Sequence, residues 1–297
     1  MSLTDSRTDE PGRDTGNEME KIHGSLQKMR AQAEAPVVYS LPVGTHEVPL
    51  NACLGQTIQV VWSGAIFCIA CGRQTNRSFN HGYCYPCCRS LACCDLCIVK
   101  PELCHYAQGT CREPTWGLAH CMQPHYVYLA NTAGVKVGIT RASQLPVRWL
   151  DQGAVQALPV FRVSSRYQAG LLEVALKKHV TDRTNWRQML RGEPEFHNLQ
   201  ARRDELLGQC GDNIITSIPS SNEQTSILLE EAETHTFTYP ILRYPPRVTA
   251  LDFHKTPHVA GTLLGIKGQY LLLDTGVLNI RKFAGYKVTI TVLASHS

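Results

Sequence analysis

Eleven of the thirteen cysteines in this 297-residue chain lie between Cys68 and Cys121. The group opens with two C-x-x-C pairs, Cys68 with Cys71 and Cys84 with Cys87, and twelve residues separate the pairs. Each pair supplies two thiolates from one tight turn, and Zn²⁺ prefers four such soft ligands in a tetrahedron. The spacing is typical of a zinc ribbon or treble clef, and it predicts a structural zinc site formed by these four thiolates.

The later cysteines indicate a second structural zinc site whose ligands the spacing leaves open. The preferred set has intervals of six, six and nine residues and consists of Cys97, Cys104, Cys111 and Cys121. Cys94 competes for a place because it forms a C-x-x-C pair with Cys97, and His105 and His120 are further candidate ligands. The alternative for any of these thiols is a buried side chain that packs as a small hydrophobic group.

Charge is distributed unevenly along the chain, whose formal net charge is +4. Residues 125–200 contain 10 basic and 5 acidic side chains, and residues 236–297 contain 7 and 2. The connector between them, residues 201–235, contains 2 basic and 7 acidic side chains. Basic segments are what binding to a phosphate backbone requires, although an ordinary solvated surface gives the same composition. The acidic connector is a candidate docking segment for a protein partner.

The sequence gives no sign of membrane insertion or export. No apolar run approaches the ~20 residues that a helix needs to span a bilayer, and the first residues lack the basic start and apolar stretch of a secretory signal. We therefore expect a cytoplasmic protein without a membrane partner. In that compartment disulfides are rare and clustered cysteines usually bind metal.

Composition and periodicity divide the chain into six segments around this cysteine block. The expected bounds are 1–35 for a disordered tail, 36–67 for a small β unit, 68–124 for the zinc-binding cysteine-rich module, 125–207 for a central domain, 208–235 for a linker and 236–297 for a C-terminal small β-barrel or sheet. A short helix is expected in the polar tail near residues 19–33. Whether the C-terminal strands complete the N-terminal β unit is left open.

The central domain is predicted to have the element order ββαβα followed by another helix. Its strands are expected at residues 126–130, 135–139 and 157–163, and its helices at 146–153, at 167–180 and after Thr184. A short turn at residues 131–134 separates the first two strands, so the pair is expected to form a hairpin. Apolar residues at i, i+4 and i+8 favour the long helix.

The hairpin resembles the paired strands of the GIY-YIG nuclease superfamily. Its strands read Tyr126-Val-Tyr128 and Lys136-Val-Gly138-Ile-Thr140. The resemblance is closest to variants that read K-I-G-x-T in the second strand. The first glycine of the superfamily motif is Tyr126 here, and its second tyrosine is Lys136.

The residues after the hairpin follow the superfamily's order, with Arg148 on the first helix, Glu173 on the second and Asn185 near the end. The resemblance implies that Tyr128 and Arg148 handle the attacking water and the phosphate, and that Glu173 holds Mg²⁺ or Mn²⁺. Lys136 would add a phosphate contact. Phosphodiester cleavage needs an activated water, a cation beside the developing charge and a polarising metal ion. The candidate nucleic-acid-binding residues are Lys136, Arg141, Arg166 and Arg187.

The chain is also similar to a bacterial domain-of-unknown-function family that combines a cysteine-rich zinc-binding segment with a GIY-YIG-like segment. The similarity spans roughly residues 37–293. The segments that carry it include Cys84-Tyr-Pro-Cys87, Gly109-Thr-Cys-Arg-Glu-Pro114 and Thr184-Asn-Trp-Arg187.

These observations predict an α+β protein with a small β unit, a zinc module, a GIY-YIG-like ββαβα domain and a C-terminal β-barrel or sheet. The preferred function is a zinc-stabilised nucleic-acid-binding protein with one or two structural Zn²⁺ ions, and turnover is left open. DNA, RNA or a ribonucleoprotein would be its partner. The first alternative is a metal-dependent endonuclease that uses Tyr128, Arg148 and Glu173. The second is a protein-interaction scaffold with structural zincs.

Overall fold

The computed structural model of the protein describes residues 21–211, 227–245 and 247–293. Within them the fold is a mixed α+β structure with three antiparallel sheets and six α-helices. The strands are β1 (Lys21–Ser25), β2 (Arg30–Gln32), β3 (Val38–Val43), β4 (His46–Pro49), β5 (Thr57–Phe67), β6 (Gln74–Thr75), β7 (His125–Asn131), β8 (Val135–Arg141), β9 (Gln156–Val163), β10 (Ile227–Leu228), β11 (His235–Thr236), β12 (His258–Lys267), β13 (Tyr270–Leu273), β14 (Gly276–Asn279) and β15 (Tyr286–Leu293). The helices are α1 (Tyr85–Ser90), α2 (Pro114–His120), α3 (Val147–Asp151), α4 (Arg166–Leu176), α5 (Trp186–Met189) and α6 (Leu199–Cys210).

The largest sheet joins strands from both ends of the chain. Its order is β1-β15-β5-β12-β13-β14, with β6 also paired to β5. The long strand β5 lies between β12 and β15, and Val60 pairs with Val259 on one side and with Ile290 on the other. In β5, Ile58 and Val60 are buried and Gln59 between them is only partly buried, because the side chains of a strand alternate between its two faces. The N-terminal and C-terminal β segments therefore share one sheet and one core.

The helix expected near residues 19–33 is wrong for the described part of that range. Residues 21–25 and 30–32 form β1 and β2, which pair with β15 and β3. The apolar residues Ile22, Leu26 and Met29 have the i, i+4, i+7 spacing of a helix, but pairing with the edge of the large sheet decides the local structure. The described part of the predicted disordered tail is thus part of the core, and residues 1–20 lie outside the described residues.

The second sheet has the order β10-β9-β7-β8, and β11 also pairs with β9. The order β7-β8-α3-β9-α4 confirms the predicted ββαβα element order, and α5 confirms the further helix. Leu172 and Leu176 of α4 pack on the sheet. Helix α4 ends at Leu176 rather than near residue 180. Helix α5 is capped by Asn185, whose side chain accepts a hydrogen bond from the Gln188 amide.

The cysteine-rich segment docks against helix α4. A Cβ atom added at Gly170 would lie 2.6 Å from Cβ of Pro101 and 2.7 Å from the Glu102 nitrogen, so the close approach requires glycine there. The Arg166 guanidinium donates a 2.6 Å hydrogen bond to the Ile98 carbonyl at the same junction. This docking brings residues 98–102 beside the face of α4 that carries Glu173.

The predicted linker falls partly outside the described residues. Residues 212–226 of the linker lie outside the described residues, whereas β10 and β11 in its described part and just after it pair with β9.

The third sheet is small and has the order β2-β3-β4. In the described residues, no helix has both the length and the apolar character needed to cross a bilayer.

Candidate functional site

The first two C-x-x-C pairs come together as predicted. The sulfur atoms of Cys68, Cys71, Cys84 and Cys87 all lie within 4.8 Å of one another. The Cys71 and Cys84 sulfurs are 3.8 Å apart. A tetrahedral zinc with Zn–S bonds of about 2.3 Å has sulfur–sulfur edges of about 3.8 Å. The cluster is therefore consistent with a structural zinc site of four thiolates.

Local backbone geometry explains how these cysteines meet. Gly72 adopts a positive φ of 70°, and its amide donates a 2.9 Å hydrogen bond to the Cys68 carbonyl, which closes the first turn. Cys84 is the N-cap of α1, and Pro86 lies in the first turn of that helix, where its missing amide hydrogen has no effect. Each pair is thus formed by a short turn that presents two sulfurs to the same side.

The pKa values of the cysteine thiols in this cluster favour the binding of a cation. Burial alone would raise the pKa of the Cys68 thiol, but backbone amides of Cys84, Cys71 and Ala70 donate to its sulfur and lower the pKa to about 6. The Cys87 thiol donates hydrogen bonds to the sulfurs of Cys84 and Cys71, which raises the pKa of Cys87. All four thiols ionise together only when a divalent cation offsets their mutual repulsion, which is the condition that zinc supplies.

The second group of cysteines lies around one small cavity. The residues that line it include the predicted ligands Cys97, Cys104, Cys111 and Cys121 together with Asp95 and His105. Within the described residues, the second group with ligand atoms all within 4.8 Å of one another is Asp95, Cys97 and His105, rather than the four sulfurs. The four predicted cysteines therefore share one cavity with the further candidate His105 and with Asp95.

Asp95 is the residue of this group that the sequence analysis missed. Its side chain accepts a hydrogen bond from the Cys97 amide at 3.3 Å and an ion-pair contact from Arg112 Nε at 2.6 Å. Burial would raise its pKa, but these two contacts lower it. An aspartate two residues before a cysteine is a recognisable cap for a short helical turn, and that signal was present in the sequence.

A larger cavity of about 730 Å³ lies where the central domain, the cysteine-rich segment and the large sheet meet. Five predicted site residues line it, namely Lys136, Arg141, Arg148, Arg166 and Glu173. The cysteine-rich segment adds Asn80 and His81, and the large sheet adds Tyr270, Asn279 and Arg281. Three parts of the chain therefore form one site.

Two predicted site residues do not line this cavity. Tyr128 is completely buried, and its hydroxyl donates a 3.1 Å hydrogen bond to Gln152 Oε1 and also contacts Arg148. Its ring fits against Gly138 on the paired strand, where an added Cβ would lie 2.7 Å from the hydroxyl oxygen. Burial raises the pKa of Tyr128. Arg187 instead lies over the ring of Trp186, 4.4 Å from its centroid, and Trp186 does line the cavity.

Among the described residues, three acidic ones line the cavity: Asp151 pairs with Lys28, Asp182 pairs with Lys177, and the third is Glu173. Its carboxylate lies 3.8 Å from Lys177 Nζ, and Lys177 in turn lies 2.9 Å from Asp182. Burial raises the pKa of Glu173, and the charge of Lys177 opposes that shift. When ionised, Glu173 offers carboxylate oxygens to a hard divalent cation, the type of ligand that Mg²⁺ prefers.

Positive charge dominates the rest of the cavity wall. In the described part of the chain, no carboxylate lies within 4.0 Å of the charged nitrogens of Lys136, Arg141, Arg148, Arg166 or Arg281. Burial and the neighbouring Arg148 lower the pKa of Lys136 to about 8. Unpaired cations around one concave surface create a positive potential that attracts anions.

A family model described as a protein of unknown function, DUF2797, matches residues 55–288. The chain belongs to the DUF2797 family. The match includes both cysteine groups and every residue of the central cavity named above. Comparisons with curated proteins and with solved structures gave no match.

The sequence analysis missed the cavity residues that come from other parts of this DUF2797 protein. Arg281 follows the β13–β14 hairpin, more than 130 residues after Arg148. His81 lies in the turn before Cys84 and has a positive φ of 62°. No local pattern connects these positions, because only the tertiary packing brings them to the same surface.

Loss of one ligand of the first cysteine cluster should remove its metal ion. We expect the Cys84→Ser protein to contain one zinc per chain fewer than the wild type and to unfold at a lower temperature, because bound structural zinc contributes directly to folding. Zinc content by mass spectrometry and thermal unfolding check this. Cys210→Ser, which changes a cysteine outside both groups, should keep the wild-type zinc content. Equal zinc content in all three proteins would contradict the assignment.

Proposed function

We propose that this DUF2797 protein binds the phosphate groups of nucleic acid in the central cavity. The observation that carries the proposal is the set of five cations around that cavity without a carboxylate partner in the described residues. Keeping like charges together destabilises the free protein, and an anionic ligand relieves the repulsion. Guanidinium groups suit phosphate in particular because their fork geometry allows two parallel hydrogen bonds.

The likeness to GIY-YIG nucleases supports the same proposal. The hairpin β7–β8 is followed by α3, β9 and α4 in the superfamily's order. Arg148 on α3 and Glu173 on α4 both reach the cavity, together with Lys136 of the hairpin. The central domain would thus provide most of the phosphate-binding surface, and Arg141 at the end of β8 and Arg166 at the start of α4 would extend it.

Two structural zinc ions complete the proposal. The first would be held by the cluster that contains Cys68. The second would be held in the small cavity of Cys97, Cys104, Cys111 and Cys121, with Asp95 and His105 as competing or supporting groups. Both ions would stabilise a segment whose short helices bury few apolar side chains. That segment carries His81 on one wall of the central cavity.

A metal-dependent endonuclease is the second candidate function, and the position of Glu173 favours it. Glu173 is buried at the cavity that also contains Arg148 and Lys136. Bound Mg²⁺ or Mn²⁺ would polarise the phosphate there. Arg148 would stabilise the developing negative charge, and Lys136 has a lowered pKa that suits a proton acceptor near neutral pH. Tyr128 would hold Arg148 and Gln152 in place through its buried hydroxyl.

Removal of a cavity cation should weaken nucleic-acid binding and its dependence on salt. For Arg148→Gln we expect weaker binding and a slope of log K against log salt that is smaller by about one, because one phosphate contact is lost. Titrations of labelled DNA and RNA at several salt concentrations measure both quantities. Lys255→Gln, which removes an exposed charge outside the cavity, should leave the slope unchanged. The same slope in both variants would contradict the proposed site.

The pH dependence of nucleic-acid binding should follow the protonation of Lys136. Because its pKa is lowered to about 8, the ammonium is protonated at pH 7 and largely neutral at pH 9. Binding to phosphate should therefore weaken as pH rises through this range, by on the order of tenfold, since one pKa unit corresponds to about 1.4 kcal/mol. Lys136→Arg keeps its charge at pH 9 and should bind with little change. An equal loss of affinity in both proteins would exclude Lys136 as the source.

The nuclease candidate is tested by Glu173→Gln. If the protein cleaves nucleic acid, we expect cleavage to require Mg²⁺ or Mn²⁺ and to disappear in this variant, whereas salt-sensitive binding persists. Gel assays on mixed DNA and RNA, with each metal and with none, check the prediction. Cleavage that survives in Glu173→Gln would remove Glu173 as the metal ligand. Intact substrate in every wild-type lane would leave binding without turnover.

A further inference from the structure

Two stacked aromatic rings form part of the wall of the central cavity. Trp186 begins helix α5 and Tyr270 begins strand β13, and both side chains line the cavity. Their ring centroids are 5.7 Å apart, and the ring planes differ by only 8°. The aromatic groups of the large core around Phe253, Phe283 and Tyr286 meet edge-on or tilted instead. The parallel pair thus lies beside the cations, outside the main core.

Three kinds of contact hold the two rings in place. Both are half-buried and pack on an apolar cluster that consists of Met189, Leu190, Leu272 and Val277. The Asn279 side chain hydrogen-bonds Tyr270, which it faces across the β13–β14 pair. The guanidinium of Arg187 lies over Trp186. Rings fixed in this way lose little conformational freedom when a ligand stacks on them.

The size of the cavity restricts what can reach these rings. Its volume of about 730 Å³ lies within the ~300–1,000 Å³ range of pockets that enclose one small molecule. A base pair in a duplex is stacked on both faces and cannot enter such a pocket, whereas an unpaired nucleotide can. Amide side chains of Asn80, Gln152 and Asn279 also line the cavity and offer donors and acceptors to the edge of a base.

We propose that the central cavity takes an unpaired nucleotide of a single strand, with its base stacked on the Trp186–Tyr270 pair and its phosphate held by Lys136, Arg148 and Arg281. The inference rests on the proposed phosphate-binding function and specifies its ligand. Aromatic rings beside a cationic groove are how proteins bind single strands without strong sequence preference, because every base has a face that can stack. Duplex nucleic acid would contact only the cations at the rim.

The test compares a single-stranded oligonucleotide, the matching duplex and a free nucleoside monophosphate. A 2-aminopurine in the single strand reports stacking through fluorescence quenching. We expect the wild type to bind the single strand more tightly than the duplex and to quench the probe. Trp186→Leu keeps an apolar side chain on the cluster below but removes the aromatic face. It should weaken single-strand binding about 5- to 150-fold, the range that alanine substitution gives for one stacked base.

Two controls separate stacking from a structural role. Trp186→Phe keeps an aromatic face and should retain quenching and most of the affinity. Phe196→Ala removes an exposed ring that does not line the cavity and should match the wild type. If the free monophosphate binds more tightly than the single strand, a free nucleotide is the occupant and the single-strand assignment is overturned.

The outcomes distinguish this inference from the function on which it rests. Equal binding of duplex and single strand, unchanged in Trp186→Leu but weakened in Arg148→Gln, would overturn the unpaired-nucleotide site and leave phosphate binding intact. The same loss of affinity in Trp186→Phe as in Trp186→Leu would also overturn stacking. Absence of salt-sensitive binding to every nucleic acid by the wild-type protein would overturn both proposals.

Discussion

The buried carboxylate of Asp151 connects three parts of the protein, and the central cavity depends on that connection. Its side chain is only 6% exposed and forms an ion pair with Lys28, between β1 and β2. Its second oxygen accepts a 2.9 Å hydrogen bond from Gln269 of the large sheet, and Gln269 also bonds both backbone groups of Met29. A buried charge that loses its partner destabilises a protein by about 3–5 kcal/mol. The contact therefore fixes the end of helix α3, which carries Arg148, against the sheet that carries Arg281.

The contacts of Asp151 hold the surrounding backbone rigid, and this allows several cations to face one another. Arg148 comes from helix α3 and Arg281 from the turn after β14, and their mutual repulsion would push the two parts apart if only loops joined them. The hydroxyl of Tyr239 adds a 2.7 Å hydrogen bond to the Ala154 carbonyl across the same boundary. Electrostatic stress of this kind is common at binding sites, where rigid surroundings hold charges that would otherwise separate.

Sequence patterns predicted the parts of this structure that local forces decide. The hairpin β7–β8 and the helix that carries Glu173 follow from alternation and helical periodicity, and the first cysteine cluster follows from two turns of fixed spacing. Strand β1 has no clear local signal, because its partner β15 lies some 265 residues away. The second metal site stayed open since the choice among Cys97, Cys104 and His105 depends on how irregular turns pack. Arg281 and Tyr270 gave no signal, because their role exists only after the large sheet has formed.

The pairing of β1 with β15 also protects an exposed sheet edge. Without residues 21–25, strand β15 would present a row of unpaired amide and carbonyl groups to solvent, together with alternating Val288 and Ile290. Such edges are templates for pairing between chains and promote aggregation. Because the DUF2797 match begins at residue 55, this protective strand lies outside the part of the chain that defines the family. A protein that lacks residues 21–25 would keep the cavity side chains and expose the edge of β15 to pairing with a second chain.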